Sequence, residues 1–134
     1  MIELSTILER FGYLMKEKLP EYINKINKEE NDGIIIKPFT NTELYQGAFK
    51  NPYYTFSFEE VLQGIKDRII GYVKYKFVIE LFLDKTSKQY IDEFCRYVDA
   101  INTMLNEDDS EYWQYHNLNT VGTKKLILTI SVER

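Results

Sequence analysis

The chain holds one cysteine and one histidine, Cys95 and His116, so its stock of soft metal ligands and general bases is minimal. A structural zinc site takes several Cys and His ligands, which this pair cannot supply. The same two residues could in principle form a thiol–imidazole nucleophile. That chemistry needs a thiolate in an exposed electropositive setting, whereas Cys95 falls in a helical pattern beside Phe94 and reads as a small buried hydrophobe. With a single cysteine no internal disulfide forms. His116 lies near Trp113 and Tyr115 in a strand pattern and reads as a strand residue with an ordinary hydrogen bond. The acidic run Asn106–Ser110 lacks the alternating oxygen spacing and internal glycine of a calcium loop. Six glycines are scattered with neither phosphate-cradling spacing. No carboxylate pair is singled out as an acid and base. The expectation is a non-catalytic protein with no cofactor and no metal.

Nucleic-acid recognition fares little better. Ile70–Phe77 has the outline of the base-stacking strand of RNA-recognition domains, but Ile70 stands where a basic residue is needed and Val73 where a small one is needed. A net charge of −4 also opposes a general grip on phosphates. Tyr72, Lys74 and Lys76 then read as the solvent or partner face of a strand. Eleven tyrosines, several on strands, fit either ordinary sheet composition or a sheet that meets another subunit.

The elements that position these residues centre on Gly71–Asn106. Val73, Tyr75, Phe77, Ile79, Leu81 and Leu83 share one face of a strand by the two-residue period. A helix follows, with Thr86 as its N-cap, Gln89 completing a capping box, and Ile91, Phe94, Val98, Ile101 and Leu105 as its apolar stripe. Upstream, Leu4, Ile7, Leu8, Phe11, Leu14 and Met15 mark a helix that continues through Ile23 and Ile26. Pro20 interrupts it, predicting a kink or a second helix starting near the proline. Asn31, Asp32 and Gly33 supply turn chemistry, and Ile34–Lys37 reads as a short strand ended by Pro38. Thr40–Pro52 is a loop, and Tyr53 opens a half-buried strand with Tyr54, Phe56 and Phe58 alternating. Glu59–Ile70 fits a short helix or the arm of a long hairpin equally well. Tyr112–Leu118 and Lys124–Val132 form a closing hairpin around Gly122, with Leu126, Leu128, Ile130 and Val132 on one face.

At 134 residues the chain is one domain, residues 1–134, long enough to bury a core without staples. Two helical stripes and several one-sided strands predict an α+β fold: two layers, a mostly antiparallel sheet with helices packed on one face. No apolar run is long enough for a membrane span, and no secretory leader is evident, so a cytoplasmic location is expected.

Leu19–Ile23 at the helix junction, the strand from Val73 to Asp84, and the segment Arg96–Leu105 resemble the tail terminator and tail-completion proteins of tailed bacteriophages and prophages. The resemblance implies a small α+β domain without a catalytic site, forming a homo-oligomeric ring, typically a hexamer. Such a ring caps the tail tube and joins it to the head side. Its partners would be copies of itself, the tube protein and the head–tail connector proteins. DNA would slide through without specific binding, and no membrane is involved. The protein would sit in the host cytoplasm during assembly and in the virion neck afterwards. Tyr72, Lys74 and Lys76 on the strand, with Glu107, Asp108 and Asp109 in the acidic turn, are the candidate interface residues, together with the loop Thr40–Pro52. A small non-catalytic module that binds a protein or ligand stays open as the alternative.

Overall fold

In the computed structural model, residues 2–40, 50–62, 72–109 and 113–133 are described. The chain begins with α1 (Ile2–Tyr13), a single wide π turn (Leu14–Lys18) and α2 (Leu19–Glu30). Pro20 explains the wide turn. It occupies the first turn of α2, where its missing N–H costs least, and the Leu19 N–H reaches back to the Leu14 carbonyl. Leu14, Met15 and Leu19 remain buried across the junction, so the interruption re-phases the apolar stripe without losing it. Asn31 closes α2 in the left-handed region at φ 42°, a conformation asparagine tolerates.

β1 (Tyr53–Leu62), β2 (Tyr72–Phe82), β3 (Gln114–Val121) and β4 (Lys125–Glu133) form an antiparallel sheet in the order β1-β2-β4-β3. α3 (Tyr90–Glu107) carries the chain from β2 to the far edge. The fold is α+β. Val73, Tyr75, Phe77, Ile79, Leu81 and Leu83 are all buried, as their spacing predicts, and so are Leu126, Leu128, Ile130 and Val132 opposite them. Phe11 of α1 stacks on Phe56 at 4.2 Å, and Phe56 stacks on Phe77 at 4.8 Å, which ties the helical layer to two strands. The opposite sheet face carries Lys74, Lys76, Val78 and Glu80, all part-exposed. Gly122 turns the last hairpin at φ 65°.

Four expectations need correction. Ile34–Lys37 is not a strand: helix side chains bond the Ile34 carbonyl and both backbone groups of Ile36 and Lys37, so it runs against the helices instead of joining the sheet. Thr86 does not cap α3. It bonds Asp84 Oδ1 through both its N–H and its hydroxyl, and the helix starts later, with Gln89 at the cap position. The buried stripe of α3 is consequently re-phased onto Phe94, Tyr97, Ala100, Ile101, Met104 and Leu105, leaving Ile91 63% exposed and Val98 half-buried. Cys95 lies on the solvent side of that helix and is exposed, not buried. Of the ambiguous piece, Glu59–Leu62 belongs to β1 after a bulge between Phe58 and Glu60, against a helix starting there. Residues 63–70 lie outside the described residues, as do 41–49 of the long loop and Tyr112.

Candidate functional site

A cleft of about 260 Å³ opens where the end of β2 meets the start of α3. Its walls are Ile35, Ile36 and Lys37 on one side and Leu83, Asp84, Ser87 and Glu93 on the other, with Tyr97, Asn51 and Pro52 completing it. The volume is below the usual 300–1,000 Å³ of small-molecule sites, so it suits one side chain better than a nucleotide. Neither Cys95 nor His116 lines it.

The wall formed by residues 32–37 is a strap held by the helices. Asn27 of α2 clasps Ile36, its Oδ1 accepting from the Ile36 N–H at 3.0 Å and its Nδ2 donating to the Ile36 carbonyl at 2.9 Å. Tyr97 of α3 does the same for Lys37: its hydroxyl accepts from the N–H at 3.1 Å and donates to the carbonyl. Burial pushes the Tyr97 phenol well above its ordinary value, so it stays neutral and keeps its proton for that bond. Arg96 donates to the Ile34 carbonyl and pairs with Asp32. The strap therefore rests on three helix side chains.

The electrostatics of the cleft follow from its turns. Asp84 Oδ1 accepts from the Thr86 hydroxyl at 2.7 Å and from its N–H at 3.0 Å, and these bonds hold the carboxyl below the usual range. Asp84 is thus an anion across the physiological range. Ser87 Oγ accepts from the Gln89 N–H at 3.2 Å, committing it to the turn. The cleft thus presents the fixed negative charge of Asp84 beside the Tyr97 phenol.

Asp32 offers a direct pH test. The Arg96 guanidinium, then the Ile34 N–H, hold its carboxyl below the ordinary 3.8. A depressed folded pKa contributes stability that is present above 3.8 and lost as pH falls through the lower folded value. The protection factor of the Ile34 amide, which donates to Asp32 Oδ1, is therefore expected to fall as pH drops below about 4 while core amides stay protected. Unchanged protection of Ile34 down to acid unfolding of the whole chain would remove Asp32 from this role.

The sequence-chosen residues fall in two groups. Lys74 and Lys76 lie on the open face of β2, opposite Ser131 and Thr129 of β4. Tyr72 opens β2 opposite Glu133. Glu107 ends α3 and accepts from the Tyr22 phenol; that bond, with burial, pushes the phenol up to about 12. Asp108 is turned inward: its side chain is 4% exposed and pairs with Arg10 of α1, so it serves the fold. Asp109 is exposed. The structure does not bring the two groups into one site. His116 Nε2 bonds Ser131 Oγ at 2.8 Å, the ordinary bond expected of it.

Of the cleft lining, sequence points only to Asn51 and Pro52, as the end of the candidate loop Thr40–Pro52. Asp84 appears there only as the end of the strand, and nothing local signals that Tyr97 reaches back 60 positions to Lys37. Among the described residues no group of three or more His, Cys, Asp or Glu is placed to hold a metal ion. No described helix is long and apolar enough to cross a membrane. Compared with family models, with curated proteins and with solved structures, the chain matches none.

Proposed function

We propose that the chain is a structural protein of a tailed bacteriophage or prophage, which forms a ring that caps the tail tube and joins it to the head side. The reading starts from the resemblance carried by Leu19–Ile23, Val73–Asp84 and Arg96–Leu105. The observation that carries it is the sheet face bearing Lys74, Lys76, Val78 and Glu80, all of them part-exposed. A broad face of mixed polar and apolar side chains suits contact with other subunits, where a catalyst would need convergent groups in a deeper cavity. The function is non-catalytic, the ring is hexameric, and its partners are the tube and head–tail connector proteins. DNA passes through without specific contacts.

The test is tube capping. Purified chain is added to polymerising tail-tube protein of the same phage, and the tubes are imaged by negative stain. Collars at one end, with growth arrested there, are expected. Tubes that grow unchanged beside folded protein would overturn the assignment.

The cleft favours a second reading, a small binding module that recognises a protein segment without acting on it. Its size and its fixed carboxylate support side-chain capture. Tube capping without dependence on the cleft would separate the two.

A further inference from the structure

Within Ile34–Lys37, Ile35 is the residue whose backbone makes no hydrogen bond among the described residues. When a single side chain bridges both the N–H and the C=O of one residue, the two groups point the same way, which is the extended arrangement. Asn27 bridges Ile36 and Tyr97 bridges Lys37, so successive residues alternate between the α2 side and the Tyr97 side. Because the C=O and N–H of one trans peptide unit point opposite ways, the Ile35 carbonyl points away from Asn27, toward the side where Tyr97 and the cleft lie, and the Ile35 N–H points away from the Ile34 carbonyl that Arg96 holds. Ile35 itself is 65% exposed and lines the cleft. An extended residue with an exposed apolar side chain at the rim of a side-chain-sized cleft has the makings of a strand-addition site.

The charges indicate what side chain would enter. Asp84 and Glu93 line the cleft, and among the described residues Lys37 is the only cationic one lining it, so two carboxylates stand against one ammonium. Ile35, the exposed apolar residue of the lining, supplies apolar surface at the rim. A long side chain with an apolar stem and a cationic head matches that order.

We propose that the cleft captures an extended segment of a partner protein, which exchanges backbone hydrogen bonds with Ile35 and sets a lysine or arginine side chain between the strap and the Asp84–Glu93 wall. The site goes beyond the tail-cap reading and does not depend on it. It belongs to the chain whichever assembly the chain enters. Main-chain bonds supply adhesion here, and the carboxylates supply specificity.

The test is a nuclear magnetic resonance titration of the full ¹⁵N-labelled chain with acetyl-Val-Lys-Val-amide, using acetyl-Val-Glu-Val-amide as comparator. The lysine peptide is expected to shift the amides of Ile35, Asp84 and Glu93, with the glutamate peptide at least about tenfold weaker. Glu93→Gln, which keeps the Asp84 turn intact, is expected to weaken the lysine peptide severalfold, its spectrum elsewhere overlaying the wild type. Equal response to both peptides, shifts that map away from the strap, or no shifts up to ~10 mM peptide would each overturn the proposal. None of these results bears on tube capping, so failure here is distinct from failure of the tail-cap assignment.

Discussion

Phe56→Ala is expected to lower the stability of the chain by about 3–5 kcal/mol, the largest effect of any single truncation considered. Phe56 is 2% exposed and sits between Phe11 of α1 and Phe77 of β2, stacked on both. Phe77 in turn meets Phe58 at 5.7 Å and Tyr75 at 6.3 Å. Removing the middle ring forfeits its own burial, its two aromatic contacts and the support of the ring on either side. Partial collapse is resisted because the layer above is a helix and the neighbour beside it is a hydrogen-bonded strand. Urea unfolding checks this: the midpoint should fall with the slope unchanged. A loss under about 1 kcal/mol would mean that the helix and the sheet do not depend on this stack.

Why that core could be read from sequence, and the cleft could not, is a matter of range. The two-residue period of Val73–Leu83 and Leu126–Val132 follows from one face of the sheet being packed as core, so the buried set follows from local pattern alone. The α3 stripe was placed less well. Ile91 and Val98 match helical spacing as closely as Tyr97 and Met104 do, and the choice between the two phases falls to the late start of the helix after the Asp84–Thr86 turn. Tyrosine at position 97 also carries a hydroxyl, which argues against burial until its partner on the strap is known. Cys95 belongs to the same phase, and with the stripe re-phased it faces solvent. Ile34–Lys37 has strand composition and extended backbone, but a strand needs a neighbour. Here the neighbours are amide and phenol side chains from α2 and α3, which no propensity reports.

Tyr97→Phe is the sharper probe of how the strap is held. The substitution leaves the ring, its stack on Phe39 at 4.8 Å and its place in the core, and removes only the hydroxyl. Both backbone groups of Lys37 then lose their partner, and the expected cost is about 1–3 kcal/mol, since part-buried groups without partners are penalised for lost solvation. The loss should be local. Exchange of the Lys37 amide is expected to rise far more than that of Phe77 or Ile130, which are held by the sheet ladder. Asn27→Ala removes the neighbouring clasp at Ile36. Because the two clasps restrain adjacent residues, their effects should not add: once either is gone the strap is already loosened, and the second substitution should cost less than it does alone. Additive costs would mean that each clasp acts on a strap held elsewhere, through Arg96 to Ile34 and Asp32 or through Thr40 to the Pro52 carbonyl. The double-mutant cycle therefore decides whether the cleft wall is a unit that opens as one piece or a set of independent contacts, and so whether a bound segment meets a preformed edge.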